Sequence, residues 1–137
     1  MKKESVRVSA VIPAPAREIY DAWLSGKGHA AMTGSPAKGS AKVGGKFSAW
    51  DGYIEGKNLE LVPHSLIVQA WRTSDFAADV PDSRLEVSLA PAKGGTKVAL
   101  KHTEIPAGQA EGYKEGWIDY YFTPMKEHFS KKTPKMR

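Results

Sequence analysis

His102 is the side chain in this sequence best suited to chemistry. It falls in TKVALKHT, residues 96–103, where Val98, Leu100 and His102 share one parity while Lys97, Ala99, Lys101 and Thr103 share the other. On a half-buried strand that alternation sends the imidazole inward. A histidine titrates near neutrality, so an inward one could serve as an acid/base or hydrogen-bonding group lining a cavity. The competing reading is a core histidine held by a tyrosine hydroxyl or a carbonyl. Gln69 and Trp71 share the parity of Ile67 in LIVQAWR and would bring an amide and an indole to the same interior. Leu66, Val68 and Ala70, on the opposite parity, are as easily buried, and a sheet covered on parts of both faces would accommodate both sets.

The remaining candidates are weaker. His29, His64 and His128 lie at no metal-ligand spacing, and the chain has neither a phosphate-cradling loop nor a Gly-x-Ser-x-Gly elbow. Asp79 and Asp82 are a carboxylate pair without the other oxygen ligands a hard cation needs, so they read as solvated. With no cysteine there is no thiolate nucleophile and no Cys-based zinc site. Four tryptophans and five tyrosines either fill a core or line a partly empty cup. These observations yield no catalytic constellation, no metal site and no cofactor motif.

The element that must position these residues is the segment Gln109 to Phe129. Wound as a helix with Trp117 at the centre, it places Tyr113, Tyr120 and Pro124 to one side. Tyr121, Met125, Ile118, Phe129, Phe122 and His128 fall to the other. The apolar arc is about 200° wide, twice what a surface helix needs. Such a helix requires cover on both flanks, as from a curved sheet. Pro124 should kink or loosen it, and Gly112 and Gly116 each weaken it by about 1 kcal/mol relative to Ala.

Upstream, Ser5–Ile12 alternates as a strand, and Pro15 to Leu24 carries Ile19, Tyr20, Trp23 and Leu24 at helical spacing. A short helical turn around His29 to Met32 precedes a loop rich in Gly, Ser and Pro. Strands are then expected over Lys46–Trp50, Tyr53–Val62 (with a bulge at Gly56), Leu66–Arg72, Arg84–Leu89 and Thr96–Thr103. Asp51-Gly52, Pro63-His64 and Ala92-Lys93-Gly94-Gly95 supply turns, and 73–83 is a polar connection. Sequential strands with segregated helices indicate α+β.

At 137 residues the chain suits one domain, expected over 1–130, followed by a basic, solvated and partly disordered tail at 131–137. Of the net charge of +5, six positive charges sit at Lys2, Lys3, Lys131, Lys132, Lys135 and Arg137, which leaves 4–130 slightly acidic. Nucleic-acid binding, which needs clustered cations interleaved with aromatics, is therefore not expected. Neither a membrane span nor a signal-peptide core follows Met1, and a cytoplasmic location is inferred.

The ordered series Met32-Thr33-Gly34, Gly44-Gly45-Lys46-Phe47, Asp51-Gly52, Ile54-x-Gly56, Asn58-Leu59, Leu61-x-Pro63 and Ile67-Val68-Gln69-x-Trp71-Arg72 resembles the activator of heat shock protein 90 ATPase homologue domain. Thr103-Glu104-Ile105-Pro106 and Gly116-Trp117-x-x-Tyr120-Tyr121-Phe122-x-Pro124-Met125-Lys126 continue the resemblance over nearly the whole chain. It implies a helix-grip fold of the START-like superfamily, a curved antiparallel sheet around a long C-terminal helix with two short N-terminal helices. Members include co-chaperones of the ninety-kilodalton heat-shock chaperone, which carry a further N-terminal domain that this sequence does not match. Superfamily relatives bind lipids, hormones or polyketides between sheet and helix, and some are cyclases. No family catalytic residue carries over.

The functional expectation is a binding domain for a small apolar or amphipathic molecule, without cofactor. Its lining candidates are Trp23, Phe47, Gln69, Trp71, His102, Trp117 and Tyr121. A co-chaperone surface is the alternative, and a cyclase or dehydratase using His102 the third reading. His102 and Trp117 should face each other across the interior.

Overall fold

The computed structural model describes residues 3–132. Alternating sequence forms six strands, β1 (Glu4–Ile12), β2 (Lys46–Ala49), β3 (Ile54–Val62), β4 (Leu66–Thr73), β5 (Ser83–Ala92) and β6 (Gly95–Ile105). They make one sheet in the order β1-β6-β5-β4-β3-β2, with every neighbouring pair antiparallel. The curved sheet grips a long C-terminal helix, and two shorter helices, α1 (Ala16–Leu24) and α2 (Gly26–Thr33), bridge β1 to β2. This is the α+β helix-grip architecture expected from the sequence.

Two faces of β4 are dry, which resolves the ambiguity in LIVQAWR. Ile67, Gln69, Trp71 and Thr73 are buried, and so are Val68 and Ala70. On the second face, Val68 lies in register between Glu60 and Glu86, and Ala70 between Lys57 and Arg84. Long side chains there flank small ones, and their aliphatic stems can cover apolar surface while the charged ends stay wet.

The irregularity in β3 lies between Asn58 and Glu60, not at Gly56. Gly56 serves close packing instead, because a Cβ there would run into the Ala70 carbonyl oxygen and the Phe47 ring. The turn expected near His29 is a full helix. Ser25 Oγ accepts the Gly28 N–H at 3.0 Å at its start, and Gly34 ends it with φ 84°. The polar connection 74–82 carries one anchor, the buried Phe76. Arg72 holds it through Asp82 Oδ1 at 2.8 Å and the carbonyls of Val80 and Ala77.

The C-terminal helix is continuous from Ala110 to Lys132. Its first part, α3 (Ala110–Gly116), passes through a π-helical stretch, Trp117–Phe122, into α4 (Thr123–Lys132). The loosening expected at Pro124 takes this form. Thr123 N–H reaches back to the Ile118 carbonyl, and the wider turn takes up the proline ring one residue later. It also narrows the buried arc. Trp117, Tyr121, Phe122, Met125 and Phe129 are buried, whereas Ile118 and Tyr120, expected inside the arc, are 43% and 60% exposed. Each fully buried side chain contributes about 1.5–3 kcal/mol, which outweighs the cost of Gly112 and Gly116. The helix reaches Lys132, and residues 133–137 of the expected tail lie outside the described residues.

Candidate functional site

His102 and Trp117 do meet across the interior. The Trp117 Nε1–H donates to His102 Nδ1 at 3.1 Å, and His102 Nε2 lies 2.8 Å from Ser83 Oγ. Ser83 Oγ donates its proton to the Trp71 carbonyl at 2.8 Å, so it accepts from His102. The imidazole is thereby fixed as the neutral Nε2–H tautomer. Burial pushes its pKa down to about 3. Both ring nitrogens are engaged, which leaves none free to a substrate. The partners are an indole and a serine, not the tyrosine or carbonyl expected.

A second buried histidine has the same character. His29 Nδ1–H donates to the Trp23 carbonyl at 2.9 Å, and the Tyr121 hydroxyl donates to His29 Nε2 at 2.7 Å. Burial lowers the His29 pKa, opposed by its bond to the Trp23 carbonyl, and burial raises that of Tyr121. At neutral pH the pair is uncharged and ties α2 to the long helix. Sequence spacing could not reveal it, since His29 and Tyr121 are 92 residues apart.

Gln69 belongs to a third buried network. Its amide donates to Asn58 Oδ1 at 2.9 Å and its carbonyl accepts the Trp23 indole N–H at 3.4 Å. Asn58 donates in turn to the carbonyls of Ser40 and Lys42 at 2.8 and 3.0 Å, which pins the irregular loop to the sheet.

An aromatic-walled space lies beside these networks, between the helix and the ends of β3 and β4. It is a cleft of about 370 Å³ lined by Trp50, Tyr53, Trp71, Tyr113, Trp117 and Tyr120, with Ile54, Tyr121, Gly112 and Gly116 completing its wall. Of the seven lining candidates, Trp71, Trp117 and Tyr121 border it. Trp23, Gln69 and His102 lie in the buried networks, and Phe47 packs over Gly56. Trp50, Tyr53, Tyr113, Tyr120 and the two glycines were not anticipated.

Local backbone explains these additions. Trp50 and Asp51 have φ of 54° and 57°, followed by Gly52 at 90°, so the β2–β3 hairpin turns left-handed and carries Trp50 against Tyr120 at 5.5 Å. Glycine at 112 and 116 leaves the helix bare where it borders the cleft. A Cβ at Gly112 would meet no atom within 4 Å.

One end of the cleft is polar. Tyr53 Oη donates to Asp75 Oδ2 at 2.6 Å. Tyr113 Oη donates to Gln109 Oε1 at 2.6 Å and lies 2.7 Å from Thr73 Oγ1. Burial, then the bond to Asp75, pushes the Tyr53 pKa up to about 12, and burial raises Tyr113 as well. Both phenols stay protonated at neutral pH. Among the described residues no buried side-chain nitrogen or oxygen lacks a partner, and no group of three or more His, Cys, Asp or Glu could hold a metal.

Residues 13–130 match the family described as activator of Hsp90 ATPase homolog 1-like protein. The chain belongs to this family. Among relatives of this Hsp90-ATPase-activator family, it is 30% identical over 112 residues to the human activator of 90 kDa heat shock protein ATPase homolog 1, an alignment spanning 82% of this chain and 33% of that protein. It is 32% identical over 114 residues to the activator from Dictyostelium discoideum, spanning 82% and 30%. The chain therefore spans about a third of the length of the curated relatives it matches. A crystal structure of an HSP90 activator from Plasmodium falciparum superposes with a TM-score of 0.83 at 27% identity, covering 92% of this chain and 96% of that one. A protein from Chromobacterium violaceum gives 0.72 at 27%, covering 90% and 94%.

Proposed function

We propose that this member of the activator family binds a small apolar or amphipathic molecule in the cleft between the long helix and the ends of β3 and β4. The observation that carries the reading is the cleft of about 370 Å³ walled by aromatic rings, in a fold where, among the described residues, every buried side-chain nitrogen and oxygen is paired. A well-packed interior leaves few voids larger than water, and ligand sites are commonly apolar clefts of about 300–1,000 Å³ with a few polar groups at one end. The Tyr53, Asp75, Tyr113 and Gln109 cluster supplies such an end. The lining set is accordingly Trp71, Trp117 and Tyr121 from the expected residues, joined by Trp50, Tyr53, Tyr113 and Tyr120.

The co-chaperone reading has independent support in the names of the relatives, which are activators of the 90 kDa heat shock protein ATPase. It places a heat shock protein 90 type chaperone against this domain and makes no demand on the cleft. A panel of lipids and metabolites, followed by tryptophan quenching or native mass spectrometry beside a pull-down with the chaperone, separates the two. Ligand binding that is lost in Gly112→Leu supports the cleft. Chaperone capture that survives Gly112→Leu, with no panel member bound, supports the second reading and rejects the first.

A further inference from the structure

The rings around the cleft meet at corners. Trp71 and Tyr113 lie 5.0 Å apart at 81°, Trp50 and Tyr120 5.5 Å apart at 67°, and Trp117 and Tyr121 4.9 Å apart at 54°. Walls that turn in this way enclose a box and do not stack into a slab. The lining residues include no charged side chain. No carboxylate lines it either: Glu55 pairs across the strands with Arg72 and shares its face, and Glu111 and Glu115 fall on the far side of the helix from the lining rings. Arg72 is turned away, engaged by Asp82 and two carbonyls of the 74–82 loop and lying 5.3 Å over the Phe76 ring. Asp75 stands at the polar end, held by the Tyr53 hydroxyl through Oδ2. The partial positive charge at the start of the long helix is met by Glu4, whose Oε1 accepts the Ala110 N–H at 3.2 Å.

Resting on the reading of the cleft as a ligand site, we infer that its ligand is an organic cation, a quaternary or alkylated ammonium group carried on an apolar body. The faces of aromatic rings are electron-rich, and a soft, weakly hydrated cation gains from several of them at once where an anion would be repelled. Asp75 at the polar end supplies the counter-charge, and an apolar body fills the remainder of a space too large for the ammonium group alone. A neutral hydrocarbon would use the apolar walls but gain nothing from the Asp75 carboxylate.

The test compares phenyltrimethylammonium with tert-butylbenzene, its neutral isostere of nearly equal shape, by tryptophan fluorescence titration of the full chain at low salt. The cation should bind about fivefold or more tightly than the isostere. Asp75→Asn should reduce that preference without weakening the isostere. Gly112→Leu should abolish binding of both. Tyr120→Ala, at an exposed ring where folding is not at stake, should weaken the cation more than the isostere. Equal affinities for the two probes would overturn the cation inference and leave the cleft standing as a ligand site. No saturable binding of either probe, or cation binding that Gly112→Leu leaves intact, would overturn both.

Discussion

The indole of Trp117 and the imidazole of His102 are locked together by a 3.1 Å hydrogen bond from Nε1–H to Nδ1, and Ser83 closes the other side of the ring at 2.8 Å. The contact joins the helix to β6 at the back of the aromatic cleft. It also changes what a substitution at His102 should do. A leucine, although similar in volume, would orphan the buried Trp117 N–H. His102→Leu should therefore lower stability by about 1–3 kcal/mol, more than an apolar swap that leaves no polar group unpaired. Urea midpoints of the two proteins check this, and a change below 0.5 kcal/mol would show that the indole finds another partner.

The same geometry sets a pH dependence. His102 has its folded pKa pushed to about 3, and burial lowers that of His29, while an unfolded histidine titrates near 6.5. The unfolded chain thus binds more protons than the folded one between those limits. The His102 contribution is fully present above about pH 6.5 and is lost as pH falls toward 3, at most by about 1.4 kcal/mol per pH unit, and His29 adds a loss in the same direction as pH falls below 6.5. Urea melts from pH 7 to 4 should show it, and His102→Gln should flatten the slope.

Tyr121→Phe isolates the second histidine. It removes the hydroxyl that donates to His29 Nε2 while keeping the ring in the core. The acceptor left behind should cost about 1–3 kcal/mol, measured by calorimetry. Wild-type stability in this variant would mean that the nitrogen reaches water.

Asn58 should matter more than its place on an exposed-looking stretch suggests. It joins Gln69 to the carbonyls of Ser40 and Lys42, so Asn58→Ala leaves three groups unpaired and loosens a loop that then keeps only its backbone bonds from Gly44 N–H to the residue 58 carbonyl and from the residue 58 N–H to the Gly45 carbonyl. Hydrogen exchange should accelerate over residues 40–45, with the Lys42 and Gly45 amides ahead of Gly44, whose bond to the residue 58 carbonyl remains. Unchanged exchange there would place the loop's anchor elsewhere.

Sequence alternation made the strands, the inward His102 and the helix they grip legible, because both periods depend on which residues must leave water. The cleft was less legible. Its helical wall sets Gly112 and Gly116 among aromatic rings, and the glycines read locally as weak points that gain meaning only where they border the cleft. Trp50 is brought there by a left-handed hairpin, and the exposure of Tyr120 follows from a π-helical stretch that periodicity at 100° per residue does not foresee. His29 likewise gains its role from a tyrosine on the last helix. Nothing near it in the chain announced that contact.

Gly112 separates helix stability from cleft occupancy. Since a Cβ there meets no atom within 4 Å, Gly112→Ala should raise stability by about 0.5–1 kcal/mol through helix propensity, with binding nearly intact. Thermal melts and ligand titration of this variant beside Gly112→Leu test the distinction. A destabilised alanine variant would show that the glycine is required by the backbone.

Entry of a ligand into the aromatic cleft registers at the indole N–H resonances of the four tryptophans during titration with the tightest binder found. Trp50, Trp71 and Trp117 line the cleft, whereas Trp23 lies outside it with its N–H on Gln69. Saturable shifts are expected at the first three, with Trp23 least affected. Saturable binding that moves Trp23 alone, or no indole at all, would contradict entry into the cleft.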